Sequence, residues 1–128
     1  MRILLDTQIA LWSAAEPEKL SKAAQAVLAD PENDVLFSVI NLWEVAIKRA
    51  LRRPDFDVDP QRLRARMKAV GLTEVMVTGE HALGVEHLPL IHHDPFDRLL
   101  VSQALSEGLT LLTTDRLLDG YPGDIRRV

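Results

Sequence analysis

Hydrophobic residues along this chain group into short continuous runs separated by longer stretches with helical spacing, the alternation expected when helices are laid over a sheet. Arg2 to Leu5 is the first run and predicts a strand. Ile9 to Ala15 predicts a helix that Pro17 breaks, and Ser21 is placed to cap a second helix reaching about Ala29. Asp30, Pro31, Glu32 and Asn33 make a turn. A second strand is expected from Val35 to Val39, and a third helix from Asn41 to about Leu51. Pro54 to Pro60 reads as a loop with alternating aspartates. A fourth helix is expected from Gln61 to Val70, stopped by Gly71, then a third strand from Glu74 to Val77 and a short helix from Glu80 to His87, closed by Pro89. The chain ends with a turn at Gly120 to Gly123 and a last strand at Ile125 to Val128.

The clearest local signal is HHDPFDRLLVSQALSEGLTLLTTD, residues 92 to 115. Asp94 stands where an N-cap belongs, Pro95 at the first helical position, and Gly108 just past the helix end. Leu109 to Leu112 reads as a buried strand, with Asp115 just beyond it. Asp97 heads an apolar stripe made of Leu100, Val101, Ala104 and Leu105. A carboxylate on a core-facing stripe needs a donor, a cation or a metal. The third helix poses the same question. Ile40, Trp43, Ile47 and Leu51 are spaced as one stripe, expected to face the core, and Glu44 falls inside it. Strands alternating with helices predict an α/β domain with a central, mainly parallel sheet of four to five strands. Ligands of such sheets bind outside the strand C-termini. Asp6 ends the first strand and Asp115 follows a later one, so carboxylates distant in sequence are expected to meet there.

Composition narrows the class. At 128 residues the chain is expected to be one domain, residues 1–128, with a sizeable core. The 47% hydrophobic content argues against disorder. No apolar run approaches the roughly 18 residues of a membrane span, no basic-then-apolar signal opens the chain, and cysteine is absent. A cytoplasmic protein without membrane association is the expectation. The net charge of −4 is unevenly spread. Lys48, Arg49, Arg52, Arg53, Arg62, Arg64, Arg66 and Lys68 face only Asp55, Asp57 and Asp59, a local balance of +5 on a body of −9. A basic stretch beside an acidic site suits a polyanion, and a solvated helix face is the plainer explanation.

Each carboxylate has a structural explanation of its own. Asp6 and Asp115 could cap short helices, Asp94 fits an N-cap, and Asp97 could complete a cap with it. Glu44 could meet an arginine or reach water at the stripe edge. Together they argue differently: converging carboxylates cannot all stay ionised without a cation, and hard oxygen ligands suit Mg²⁺ or Mn²⁺. His92 and His93 beside Asp94 lack a third zinc ligand at a recognisable spacing. His81 and His87 read as surface or helix-end residues, and Trp12 and Trp43 as core rather than as a base-stacking platform.

The opening ILLDT, the helix NLWEVAIK, the segment DPFDRLLVSQAL and the closing LLTTD resemble the motifs of PIN-domain ribonucleases, and among them the VapC toxins of toxin–antitoxin systems. The resemblance runs from Ile3 to Asp115. It implies a three-layer α/β/α domain, usually a homodimer, an antitoxin partner that blocks the site, and Mg²⁺- or Mn²⁺-dependent cleavage of RNA. By motif, Asp6, Glu44, Asp97 and Asp115 match the family's acidic quartet as metal ligands, with Asp97 also a candidate to accept a proton from water. Asp94 matches a position common in the subgroup, and Thr7 and Thr113 match polar residues near the metal. Lys48, Arg49, Arg52 and Arg53, on the same helix as Glu44 and its exit, are expected to hold the RNA backbone.

Three other kinds of protein share some of these features. A phosphoacceptor receiver would need an acidic pair at the first strand end and a late lysine; Asp6 stands between Leu5 and Thr7, and no lysine follows Lys68. A phosphatase of the haloacid dehalogenase type would need an aspartate at position 8, which is Gln8. A catalytically inactive PIN-like interaction module would keep the fold without binding metal.

Overall fold

A computed structural model covers residues 1–128. Its elements run β1 (Arg2–Leu5), α1 (Thr7–Ala15), α2 (Lys22–Ala29), β2 (Asp34–Ser38), α3 (Val39–Ala50), α4 (Pro60–Ala69), β3 (Thr73–Val75), α5 (Gly79–Gly84), α6 (Pro95–Glu107), β4 (Thr110–Thr113) and β5 (Ile125–Arg127). Short 3₁₀ turns lie at Pro17–Lys19, Val85–His87 and Arg116–Gly120. Every expected strand and helix is present, with ends moved by at most three residues. The third helix begins earlier than expected, at Val39, because Ser38 caps it: its hydroxyl accepts the Ile40 N–H, while the Asn41 side chain accepts the Ser38 N–H.

The five strands form one sheet in the order β3-β2-β1-β4-β5, and every pairing is parallel. Strand alternation then sorts the core. Ile3, Leu5, Phe37 and Leu112 point to one face, where Ile9, Ala10, Ala14, Ala24, Leu63 and Met67 of α1, α2 and α4 cover them. Leu4, Leu36 and Leu111 point to the other face, under Leu100, Val101 and Ala104 of α6 and under Leu88 and Leu118. Each fully buried aliphatic side chain contributes about 1.5–3 kcal/mol, so two packed faces explain why the strand residues are apolar on both sides. These are the three layers that the motif resemblance implied.

β1 lies at the centre of the sheet. Its chain leaves toward β2 on one side, and β4 joins it on the other, with Leu5 opposite Leu112. Such a reversal of strand order opens a crevice beyond the strand C-termini. Asp6 and Thr113 stand at its floor. α6 ends at Gly108, whose left-handed backbone (φ 66°) lets the Leu109 N–H return to the Ala104 carbonyl and turns the chain into β4.

α3 corrects one expectation. Its buried residues are Ile40, Asn41, Glu44 and Val45, whereas Trp43, Ile47 and Leu51 are exposed at 49%, 37% and 61%. Only Ile40 of the expected stripe faces the core; the rest faces outward, and Trp43 only leans its edge on Phe96. On α6, Leu105 is likewise exposed. Trp12 packs against the core, as expected. No helix is long and apolar enough to cross a membrane.

Candidate metal centre

Four separate stretches deliver the acidic residues to one cleft of about 270 Å³, whose lining includes Asp6, Thr7, Glu44, Lys48, Asp94, Asp97 and Asp115. Asp6 follows β1 and caps α1, its Oδ1 accepting the Ile9 N–H at 2.9 Å. Its Oδ2 accepts the Thr113 hydroxyl and, at 3.4 Å, the Thr114 N–H. Asp6 is buried, and that burial raises its pKa against the lowering by these hydrogen bonds; nearby Glu44 raises it further. Thr7 is buried beside it and accepts the Asn41 amide at 3.0 Å; the same amide also reaches the Leu5 carbonyl. Asn41 therefore ties the start of α3 to the end of β1, one helical turn before Glu44.

Glu44 is buried, with one oxygen paired and the other not. Lys48 Nζ lies 2.7 Å from Oε2, and Oε1 has no hydrogen-bond partner. An unmet buried carboxylate oxygen costs about 1–3 kcal/mol or more, so the atom calls for a cation in the cleft. Residues on this side of the crevice thus fit a divalent ion: several carboxylates, few donors among them, and one acceptor left open.

Asp97 stands in the first turn of α6, positioned by Asp94. The Asp94 carboxylate caps that helix, accepting the Phe96 and Asp97 N–H groups. Asp97 does not join this cap. Its pKa is pushed up to about 7, first by burial and then by the charges of Asp94 and Glu44, with His92 pulling the other way. Asp115 caps the 3₁₀ turn after β4, its Oδ1 accepting the Leu117 N–H. Three of the four structural explanations offered for these aspartates are therefore correct as well: Asp6, Asp94 and Asp115 do cap helices, and they converge all the same.

The histidines behave differently from expectation. His92 meets two carboxylates of the cleft, its Nε2 hydrogen-bonded to Asp115 Oδ2 at 3.0 Å and 3.2 Å from Asp97 Oδ2. Neither periodicity nor spacing marked it, since its partners come from α6 and from beyond β4. His81 is buried, contrary to the surface reading; it closes a capping box with Thr78 and pairs with Glu107 at 2.8 Å. His87 is exposed, as expected, and His93 stays exposed outside the cleft.

Of the four cations expected to hold RNA, only Lys48 lines the acidic cleft. Arg49, Arg52 and Arg53 line a separate, larger groove of about 690 Å³ at the end of α3, with Pro54 and Phe56. Arg49 is 3.4 Å from both Asp57 and Asp59, which offset its charge. The four carboxylates of the acidic motifs line the smaller cleft and none of them lines the larger groove.

The PIN domain family model matches residues 3–123. This chain belongs to the PIN-domain family. This PIN domain is 29% identical over 123 residues to Ribonuclease VapC22 of Mycobacterium tuberculosis, covering 93% of this chain and 91% of that protein. Among solved structures it resembles VapBC2 from Rickettsia felis bound to a DNA fragment from its promoter (TM-score 0.72, 16% identity, 99% and 98% of the two chains). It also resembles a toxin–antitoxin complex from Klebsiella pneumoniae (TM-score 0.61, 21% identity, 98% and 99%). Both structural likenesses establish the PIN architecture of the chain.

Proposed function

We propose that this PIN domain is a metal-dependent ribonuclease, an endonuclease that hydrolyses RNA phosphodiesters and serves as the cytoplasmic toxin of a toxin–antitoxin pair. The observation that carries the reading is the meeting of Asp6, Glu44, Asp97 and Asp115 in one cleft with Glu44 Oε1 buried and unpartnered. Likeness to a protein named as a ribonuclease supports RNA as substrate, and likeness to toxin–antitoxin complexes supports an antitoxin partner. The four carboxylates are the proposed ligands of Mg²⁺ or Mn²⁺. Bound there, the ion supplies a water of lowered pKa and offsets charge on the departing 3′ oxygen.

The chain's own residues hold that arrangement. Thr113 and the amides of Ile9 and Thr114 fix the Asp6 carboxylate, Asn41 and Thr7 set α3 and hence Glu44 against it, and Asp94 sets the turn that carries Asp97. Lys48 offsets part of the Glu44 charge at the rim of the cleft. In this reading RNA runs from Lys48 toward Arg52 and Arg53, with Arg49 contributing less because Asp57 and Asp59 already engage it. The exposed Trp43, Ile47 and Leu51 on α3 support a protein partner over this face, antitoxin or second protomer.

The test is cleavage of a mixed RNA pool with Mg²⁺ or Mn²⁺, and with EDTA, by wild type, Asp6→Asn and Asp97→Asn. Cleavage that needs the ion and disappears in both variants is the expected result. A folded wild type that neither cleaves nor binds the ion returns the chain to the inactive interaction module.

A further inference from the structure

His92 is a polar side chain against two carboxylates of the acidic cleft, and the motif resemblance gives it no role. Its Nε2 and one oxygen each of Asp97 and Asp115 all lie within 4.8 Å of one another, a grouping with the shape of a metal site. The other ring nitrogen decides what His92 does there. Nδ1 lies 3.1 Å from the Asp94 main-chain nitrogen, whose N–H donates to it. A nitrogen that accepts a hydrogen bond carries no proton, so the neutral ring holds its proton on Nε2. Nε2–H then points at Asp115 Oδ2 and toward Asp97 Oδ2, and offers no lone pair to an ion.

We infer that His92 is a positioning residue of the proposed metal centre, a donor that holds Asp115 and Asp97 for the ion and not itself a ligand. The inference rests on the reading of the acidic quartet as a metal site. His92 is braced from behind. The Tyr121 hydroxyl accepts the His92 main-chain N–H at 2.8 Å and donates to its carbonyl at 3.3 Å. Buried Arg98 donates to the same hydroxyl at 3.1 Å, and to the Pro89 carbonyl at 2.8 Å. The imidazole is thus fixed at both its backbone and its Nδ1. With Asp115 Oδ1 occupied by the Leu117 N–H and Oδ2 by His92, the Asp115 carboxylate has one orientation. Asp94 acts on both Asp97 and His92, since its carboxylate caps α6 under Asp97 and its N–H sets the His92 ring.

The test is Mn²⁺ binding to the full chain by calorimetry, with wild type, His92→Ala, His92→Gln and Tyr121→Phe, joined to pulsed electron paramagnetic resonance of the Mn²⁺-loaded wild type. His92→Ala is expected to weaken Mn²⁺ binding by about tenfold or more, the usual loss when a residue that orients a ligand is removed. His92→Gln, whose amide keeps a donor near the Nε2 position, should recover most of that loss, and Tyr121→Phe should weaken binding a fewfold. The resonance spectrum should show no directly bound nitrogen. A directly coordinated imidazole nitrogen in wild type would overturn the inference by making His92 a ligand, and that measurement stands even where His92→Ala fails to fold. Unchanged Mn²⁺ affinity in a folded His92→Ala, or no recovery in His92→Gln, would overturn it as well. A wild type that binds no Mn²⁺ would instead remove the metal-site reading on which the inference stands.

Discussion

The acidic cleft and the arginine-lined groove lie along the same helix, α3, and are built in opposite ways. The cleft draws Asp6, Glu44, Asp97 and Asp115 from four separate stretches and fixes them through caps, Thr113, Asn41 and His92. Its residues are buried or half-buried, and the chain bears the cost of bringing like charges together. The groove takes its cations from one short stretch, Arg49, Arg52 and Arg53, all exposed, with Asp57 and Asp59 near by. Groups that must set a geometry are worth desolvating; groups that only gather a polyanion work from solvent, at little cost and with little precision.

This contrast predicts graded effects. The largest belongs to the cleft. Asp6→Asn or Glu44→Gln should lower metal-dependent RNA cleavage by roughly a hundredfold or more, since each removes a charged ligand. Arg53→Gln should leave the turnover number within about twofold; equal losses in both regions would erase the distinction.

Next is the cost of the cleft without metal. Asp97 keeps its proton in the folded chain to about pH 7, while in the unfolded chain it loses it near the ordinary aspartate value. The folded state therefore holds more protons between those values, and metal-free stability should fall as pH rises from about 4 to 7. Asp97→Asn should remove that slope and stabilise the metal-free protein at pH 7.5 by on the order of 1–2 kcal/mol, after allowing for the solvent that still reaches this partly buried group. Denaturant unfolding in EDTA at pH 5 and 7.5 measures both. A flat profile in wild type would show that burial in the cleft is not costly.

The groove comes third. Arg52→Glu with Arg53→Glu should weaken RNA binding about tenfold at low salt and reduce the slope of log affinity against log salt by about 2, one for each phosphate no longer neutralised, with RNA sequence preference unchanged. A filter-binding salt series checks it. The smallest effect is also in the groove. Arg52 sits at φ 53°, a left-handed conformation that glycine adopts without strain. Arg52→Gly should stabilise the fold by about 0.5–1 kcal/mol while weakening RNA binding. If it stabilises with no loss of affinity, Arg52 has no part in the groove's work.

Much of the site was legible before any tertiary information. Asp94-Pro95 at a helix start and Gly108 at its end placed α6 correctly, and with it Asp97, because caps are local chemistry. Asp6 and Asp115 were readable from strand ends in an alternating α/β pattern. Glu44 was singled out for a reason that proved half right. Helical spacing reports which residues share a face and says nothing of which face turns inward. Ser38 and Asn41 anchor the start of α3 so that Glu44 and Val45 point in, and Trp43, Ile47 and Leu51 point out. His81 reads as a surface or helix-end residue in the sequence and is buried in the fold, because its partner, Glu107, is on another helix.

By itself, then, the chain's sequence determined the order of strands and helices, their caps and the four acidic motifs, because each depends on neighbours a few residues away, and the alternation of strands with helices implied the parallel sheet. Only the tertiary structure decided which side of α3 is buried, that Arg49, Arg52 and Arg53 line a different groove from the one that holds Glu44, and that His92 stands between Asp97 and Asp115. Those are contacts between side chains on separate elements, set by packing against both faces of one sheet, and no local pattern records them.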